Sequence, residues 1–259
     1  VKGRAFISIT VAAAICAAAV PASAGVGDVI SSFKMDGARN IYRDGNYVYC
    51  VVGTNTLRRY TVSGSLVGTV ALAGLTDAGD ADHSPLGPGY LAVIEGSNRI
   101  YEYRIANGSL VRSMAAGPST VGYAYFPGGA YFYTHTGASV YRYTTAGSLV
   151  NTFAVPYAAT EIAATDRFND KGGEYVVVAT RSLGRTYVYT GVGAIVTTFN
   201  VVVAPAGCVC GPGTPYTPKT TYWCNVPVGA NRFAYQFDLG NKNVGLAPTS
   251  LGKIRALYR

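Results

Sequence analysis

The chain has 259 residues and a formal net charge of +8, with 49% hydrophobic and only 13% charged residues. Its 32 glycines and 12 prolines argue against long helices, because both weaken a helix interior. The arginines are scattered and form no basic-aromatic stripe, which argues against a nucleic-acid partner.

Residues 1–24 read as a signal peptide. Lys2 and Arg4 form a basic start, Phe6 to Val20 an apolar stretch, and Ala22-Ser23-Ala24 a cleavage site. The apolar stretch is shorter than the roughly 20 residues of a membrane span, and Ile15 before Cys16 does not suit a lipid-anchor signal. Cleavage after Ala24 predicts a protein that is secreted, periplasmic or held at the cell surface. The remaining chain, 25–259, is expected to be one domain with no membrane span and a net charge of +6 once Lys2 and Arg4 are gone.

A repeat then dominates. Three copies are clear: Gly45 to Val70, Pro88 to Met114 and Gly128 to Phe153, each ending in Gly-Ser-Leu-Val and a short strand, and two worn copies follow. The units align on an aromatic before a glycine turn: Tyr60, Tyr103, Tyr143, Tyr189 and Phe237, with turns at Gly64, Gly108, Gly147, Gly193 and Gly240. Strands such as Tyr101 to Ile105 alternate apolar and polar residues, and Ser63-Gly64 and Asn107-Gly108 are hairpin chemistry. Several short strands per unit of roughly 40–50 residues predict an all-β β-propeller of five blades, each of four antiparallel strands. Gly27 to Phe33 matches Gly147 to Phe153 and is expected to be an outermost strand that closes the ring with the C-terminal unit. Ser250 to Tyr258 also looks like an outer strand, so six blades, with a degenerate one around Val201 to Lys219, is the alternative.

The run from Gly89-Tyr90-Leu91-Ala92-Val93 through Asn98-Arg99-Ile100-Tyr101 to Asn107-Gly108-Ser109-Leu110-Val111 resembles NHL-like and lactonase-like secreted propeller repeats. The resemblance implies the architecture. That superfamily holds non-catalytic binding modules beside lactonase-type and lyase-type enzymes, and fold does not choose between them. The metal ligands of the lactonase relatives have no residue-by-residue match here, and the chain has only His83 and His135 for a histidine-centred site.

Candidate site residues cluster on the stretches expected to line the central channel. Asp77, Asp80 and Asp82, followed by His83, are the best chemical group. Asp80 and Asp82 with Glu161 form a candidate metal set for calcium, a hard ion that takes oxygen ligands. The competing reading is a set of ordinary polar loops, since calcium wants six or more oxygens. Asp80, Asp82, His83 and Glu161, with Tyr123 and Tyr125, make up the candidate binding residues at the channel mouth. Tyr123 and Tyr125 fall off the repeat phase that explains most of the 21 tyrosines as packing residues. His135 reads as a hydrogen-bonded interior histidine, and no serine nucleophile can be named. No catalytic residue and no cofactor beyond calcium is indicated.

Four cysteines remain after cleavage. Cys50 reads as a small buried hydrophobe, and Cys224 is expected to form a disulfide with Cys208 or Cys210 from a Gly/Pro-rich loop. The expected function is a secreted, non-catalytic propeller that binds a protein or polysaccharide or joins a surface assembly. The alternative is a metal-dependent lactonase-like or lyase-like enzyme.

Overall fold

The computed structural model describes residues 29–239 apart from 97, 118–121, 127–128, 157–158, 169–170, 181–184, 201–207, 213–219 and 229. The expected signal peptide, the C-terminal segment Ser250 to Tyr258 and most of Val201 to Lys219 lie outside these residues. Among the described residues there is no helix, and hence none long and apolar enough to cross a membrane.

Twenty strands form five antiparallel sheets of four. Blade 1 holds β2 (Tyr42–Asp44), β3 (Tyr47–Val52), β4 (Thr56–Thr61) and β5 (Leu66–Ala71). Blade 2 holds β6 (Ala78–His83), β7 (Tyr90–Glu95), β8 (Arg99–Arg104) and β9 (Leu110–Ala115). Blade 3 holds β10 (Gly122–Tyr125), β11 (Tyr131–His135), β12 (Ser139–Thr144) and β13 (Leu149–Ala154). Blade 4 holds β14 (Ala159–Phe168), β15 (Lys171–Thr180), β16 (Arg185–Thr190) and β17 (Ile195–Asn200). Blade 5 holds β18 (Cys208–Pro212), β19 (Thr220–Val228), β20 (Asn231–Asp238) and, on its outer edge, β1 (Val29–Lys34). The innermost strands β2, β6, β10, β14 and β18 meet in a closed ring. The architecture is a five-bladed β-propeller.

The ring has two ends. One carries the hairpin turns into each outer strand and the loops that leave the innermost strands, and is called the turn end below. The other, the crossover end, carries the connections from blade to blade.

Closure follows from the N-terminal match. β1 pairs antiparallel with β20, Phe33 opposite Ala234, so the first described strand completes the last blade. An outer edge that would otherwise be unpaired is thereby covered. The Gly/Pro-rich stretch around Cys208, expected like its counterparts to line the channel, forms the innermost strand β18. Its glycines and prolines obscured the alternation by which the other strands are recognised. Five blades, not six, result.

No blade has a core of its own. The buried apolar residues fall into five clusters, one at each blade interface. Between blades 5 and 1, for example, Trp223 and Ala234 pack on Met35, Ile41, Val48, Cys50 and Tyr60. Each fully buried large side chain contributes about 1.5–3 kcal/mol through burial. Because those contributions lie between blades, the ring must close for the chain to be stable. Cys50 is buried as expected, and burial pushes its thiol up to about 12.

The repeat itself has a mechanical reading. In blades 1 to 4 the register of the third and fourth strands slips at one place, next to Tyr60, Tyr103, Tyr143 and Tyr189. These are the aligned aromatics, and all four are buried. The slip feeds a tight turn in which the glycine amide donates back three or four residues, as Gly64 does to the Thr61 carbonyl at 3.0 Å and Gly193 to that of Thr190 at 2.9 Å. Gly64 and Gly193 have φ of +91° and +94°, the left-handed region. Each also lies under an aromatic of the preceding outer strand. A Cβ on Gly64 would sit 2.6 Å from the Cβ of Phe33, and one on Gly193 2.5 Å from that of Phe153. Turn and aromatic therefore lock neighbouring blades at the rim.

Two substitutions test this lock. Phe33→Ala removes contacts to Tyr60 and Trp223, with ring centroids at 5.8 and 6.4 Å, and is expected to cost about 2–3 kcal/mol, since Phe33 is only partly buried. Gly64→Ala is expected to cost about 1–3 kcal/mol through strain and overpacking. Urea denaturation of each variant measures both, and an unchanged midpoint for either would remove the rim lock from the account.

Candidate functional site

The channel wall is built from β6 and β10, innermost strands of adjacent blades that share no backbone ladder. Side chains bridge them. Asp80 accepts from the amide of Ala81 at 2.9 Å through Oδ1 and from that of Tyr123 at 3.2 Å through Oδ2. Asp82 repeats the pattern two residues on, accepting from His83 N at 2.7 Å and from Tyr125 N at 2.9 Å. The period of two matches strand geometry, so both carboxylates reach the same neighbour. Tyr123 returns a bond from its hydroxyl to the His83 carbonyl at 3.2 Å. Asn40 does the same between blades 1 and 2: its Nδ2 donates to Gly79 O at 2.7 Å and its Oδ1 accepts from Val51 N at 2.9 Å. Asn225 of blade 5 donates to Ala38 O of blade 1 at 2.9 Å.

The candidate residues thus divide. Asp80, Asp82, His83, Tyr123 and Tyr125 are brought together, but as an interblade joint. Asp80, Asp82 and Tyr123 are buried, so the expectation that Tyr123 belongs to an exposed binding face is corrected: its ring packs on Phe132 in the interface of blades 2 and 3. Glu161 stands on β14, opposite Ala179 and one blade beyond β10. Among the described residues no group of three or more His, Cys, Asp or Glu could hold a metal ion, so Asp80, Asp82 and Glu161 do not form the expected set. Alternate residues of one strand face one neighbour, and their oxygens are already occupied by amides. Asp77, at the crossover end, is exposed and paired with Arg39 at 2.7 Å.

His83 and Tyr125 are partly exposed at the turn-end mouth. The His83 Nδ1 lies 2.8 Å from Asp82 Oδ1, and its ring meets Tyr42 edge-on at 4.9 Å. The side chain is 25% exposed, leaving Asp82 and His83 as an oriented pair with one edge toward solvent. The neighbouring Ser84 is no nucleophile for it, being buried with its hydroxyl donated to Glu102 at 2.6 Å.

Other buried or half-buried polar groups were not legible beforehand. Glu102 binds Arg112 as well as Ser84, and Glu174 of blade 4 takes Arg142 Nε at 2.8 Å and the Tyr133 hydroxyl of blade 3. Arg43 is buried beside Trp223, 5.8 Å from the ring centroid, donates to the carbonyls of Gly45 and Tyr47, and has its guanidinium pKa lowered by burial. Burial likewise raises the Asp80 carboxyl well above its ordinary value, outweighing the amides of Tyr123 and Ala81, and raises the Tyr123 phenol. His135 is buried, accepts from the Gly137 amide at 3.3 Å, and is pushed down to about 4 by burial.

No protein-family model and no curated protein matches the chain. Among solved structures 1345 chains match, so the architecture is common and by itself assigns no activity. One is BBS1N, crystallised in complex with ARL6DN and soaked with mercury: 13% identical, covering 78% of this chain, with a TM-score of 0.46. This chain spans 65% of the length of that one.

Two outcomes follow from the joint and from His135. Asp82→Ala leaves the amides of Tyr125 and His83 without their acceptor and is expected to cost about 1–3 kcal/mol in urea denaturation. The folded value of His135, about 4 against an ordinary 6.5, means the unfolded chain binds the proton first. Stability is therefore complete above pH 6.5 and falls between 6.5 and 4, by about 3 kcal/mol from this group. Asp80 acts in the opposite sense, because its raised folded value favours the protonated native state and that contribution disappears as pH rises through it. Subtracting the pH profile of His135→Asn from that of the wild type isolates the histidine. Parallel profiles would show that His135 protonates alike in both states.

Proposed function

We propose that the chain is an exported, non-catalytic β-propeller that binds a protein or polysaccharide or joins a surface assembly. One observation carries this reading. The best chemical cluster, Asp80 and Asp82, is engaged with the backbone of the neighbouring blade rather than directed at a shared cavity. Both carboxylates are buried, and the two amides that each accepts, out of roughly four acceptor sites, hold it in the joint. The basic start, apolar stretch and Ala-Ser-Ala of residues 1–24 support export, and the NHL-like resemblance of the repeats agrees with a secreted module.

Export also bears on the cysteines. Cys208 is the register partner of Cys224, whereas Cys210 stands opposite Tyr222. Directly opposed Cα atoms lie about 4.5–5.5 Å apart, within the usual disulfide range, while diagonal positions lie about 7–8 Å apart. This favours Cys208 over Cys210 as the partner of Cys224. Peptide mapping of the exported protein without reductant is expected to recover Cys208 joined to Cys224; a Cys210–Cys224 peptide would reverse the assignment.

A second reading has one observation behind it, the oriented Asp82 and His83 pair at the turn-end mouth. It makes the chain a lactonase-like or lyase-like enzyme that works at this pair, with calcium binding as the test of the metal-dependent form. The two readings separate in one experiment. The protein is melted with calcium and with excess chelator, then offered lactone and lyase substrates. No shift and no turnover are expected. A drop of several degrees on chelation, abolished in Asp82→Ala and Glu161→Ala, would instead establish the metal-dependent enzyme.

A further inference from the structure

All ten large hydrophobic side chains that are exposed among the described residues lie at the turn end. Eight are the same two repeat positions in four blades: Leu66 and Val67, Leu110 and Val111, Leu149 and Val150, Ile195 and Val196. The other two, Val192 and Leu86, sit in a hairpin turn and an innermost-strand loop of that end. Scattered exposed hydrophobics are ordinary. Ten at one end and none at the other, recurring blade after blade, are not. Packing does not account for them, since the paired positions are 42–58% exposed, whereas Val70 and Phe153, three or four residues on, lie against Gly108 and Gly193 of the next blade.

The turn end also carries cations. Of the seven arginines on the third and fourth strands of blades 1 to 4, Arg59, Arg104 and Arg142 lie toward this end, whereas Arg99 and Arg185 begin third strands at the crossover end and Arg112 is bound to the buried Glu102. Three of the arginines stack on tyrosines that begin the second strands, at the turn end: Arg59 over Tyr47 at 4.8 Å, Arg104 over Tyr90 at 5.9 Å and Arg142 over Tyr131 at 3.6 Å. The acids at this end, among the described residues, include Asp44, Asp166, Asp238 and Glu174, the last held by Arg142. The crossover end carries charge too, in the pairs Lys34 with Asp36 and Arg39 with Asp77 and in Arg99 and Arg185, but none of the exposed large hydrophobics.

We infer that the turn end seats the propeller on an anionic lipid surface. The side chains are spread around four blades at one height, because each pair follows the same turn. A flat occupant engages all of them together, whereas a globular partner meets one or two blades. Leucine, valine and isoleucine would enter the acyl boundary while tyrosine and arginine lie at headgroup level, arginine beside phosphate. Anionic lipid adds about 1 kcal/mol per cation near the surface. The inference rests on the binding-module reading and supplies a second contact for it. The crossover end, which among the described residues lacks the exposed apolar side chains, then faces away from lipid and remains open to a protein or polysaccharide.

The test is co-sedimentation of the protein with vesicles of phosphatidylcholine alone and with phosphatidylglycerol added. Binding to the anionic vesicles is expected, weakened by salt and by Arg59→Gln with Arg104→Gln. The quadruple variant Leu66→Ser, Leu110→Ser, Leu149→Ser, Ile195→Ser should bind at least about tenfold more weakly with an unchanged melting temperature, because exposed positions contribute little to stability. Failure of the wild type to sediment, or full binding by the quadruple variant, overturns the inference. So does an oligomer in light scattering that the quadruple variant dissolves without any vesicle binding, since the occupant is then a second copy. Retention of a protein or polysaccharide ligand in either case leaves the binding-module reading intact, and turnover of a lactone or lyase substrate removes that reading whatever the vesicles show.

Discussion

Everything in this propeller depends on how the innermost strands of adjacent blades are joined. Radiating sheets cannot continue a β-ladder around the channel, so each inner strand presents amides and carbonyls to a neighbour that is not in register with it. Left unpaired in a buried setting, each such group costs about 1–3 kcal/mol. Asp80, Asp82, Asn40 and Asn225 answer this by reaching from one blade to the backbone of the next. Their side chains act as the missing rungs. That use explains why two carboxylates are buried without a cation between them: their partners are dipoles fixed in place by β10, and the burial that raises the Asp80 carboxyl is the consequence of that placement.

The joint at the channel has a counterpart at the rim. There, blades are coupled by apolar contact, with Phe33 over Gly64 and Phe153 over Gly193. Between the two lie the five interface clusters. Stability in such a ring is shared among neighbours, and the pairing of β1 with β20 decides whether the last interface forms at all. The N-terminal strand is thus as much a part of blade 5 as β18 is, although nearly the whole chain separates them in sequence.

The repeat could be read because its periodic parts obey simple rules. The glycine turn requires a left-handed backbone, the aromatic before it fills an interface, and alternation marks the second and third strands. Blade number, strand order and closure follow from those residues. The channel strands could be placed, as the variable stretch before each second strand, but their contacts could not, because their residues answer to a neighbouring blade and vary with it. Asp80 and Asp82 were visible as a cluster, yet the sequence carries no mark that Tyr123 N and Tyr125 N would be their partners. Tyr123 looked exceptional because it left the repeat phase, and it did so because it packs into an interface rather than because it faces solvent. Glu102 and Glu174 were hidden for the opposite reason: each resembles an ordinary polar residue on a strand, and only the fold brings Ser84, Arg112, Arg142 and Tyr133 to them.

The repeat motif also separates into two halves with different physics. Of the turn glycines, Gly64, Gly108 and Gly193 lie against the outer strand of the preceding blade, under Phe33, Val70 and Phe153, and changing either partner strains or empties an interface. The Leu-Val pair has no such duty, since more than two fifths of each of these side chains is open to solvent in all four blades. Such exposure works against solubility, and a turn needs only polar residues at its flanks. An apolar pair kept at the same height around the rim is therefore best understood through what it meets outside the molecule. The inner half of each blade is devoted to holding the ring, and the outer edge of one end is where the protein has chemistry left to offer a partner.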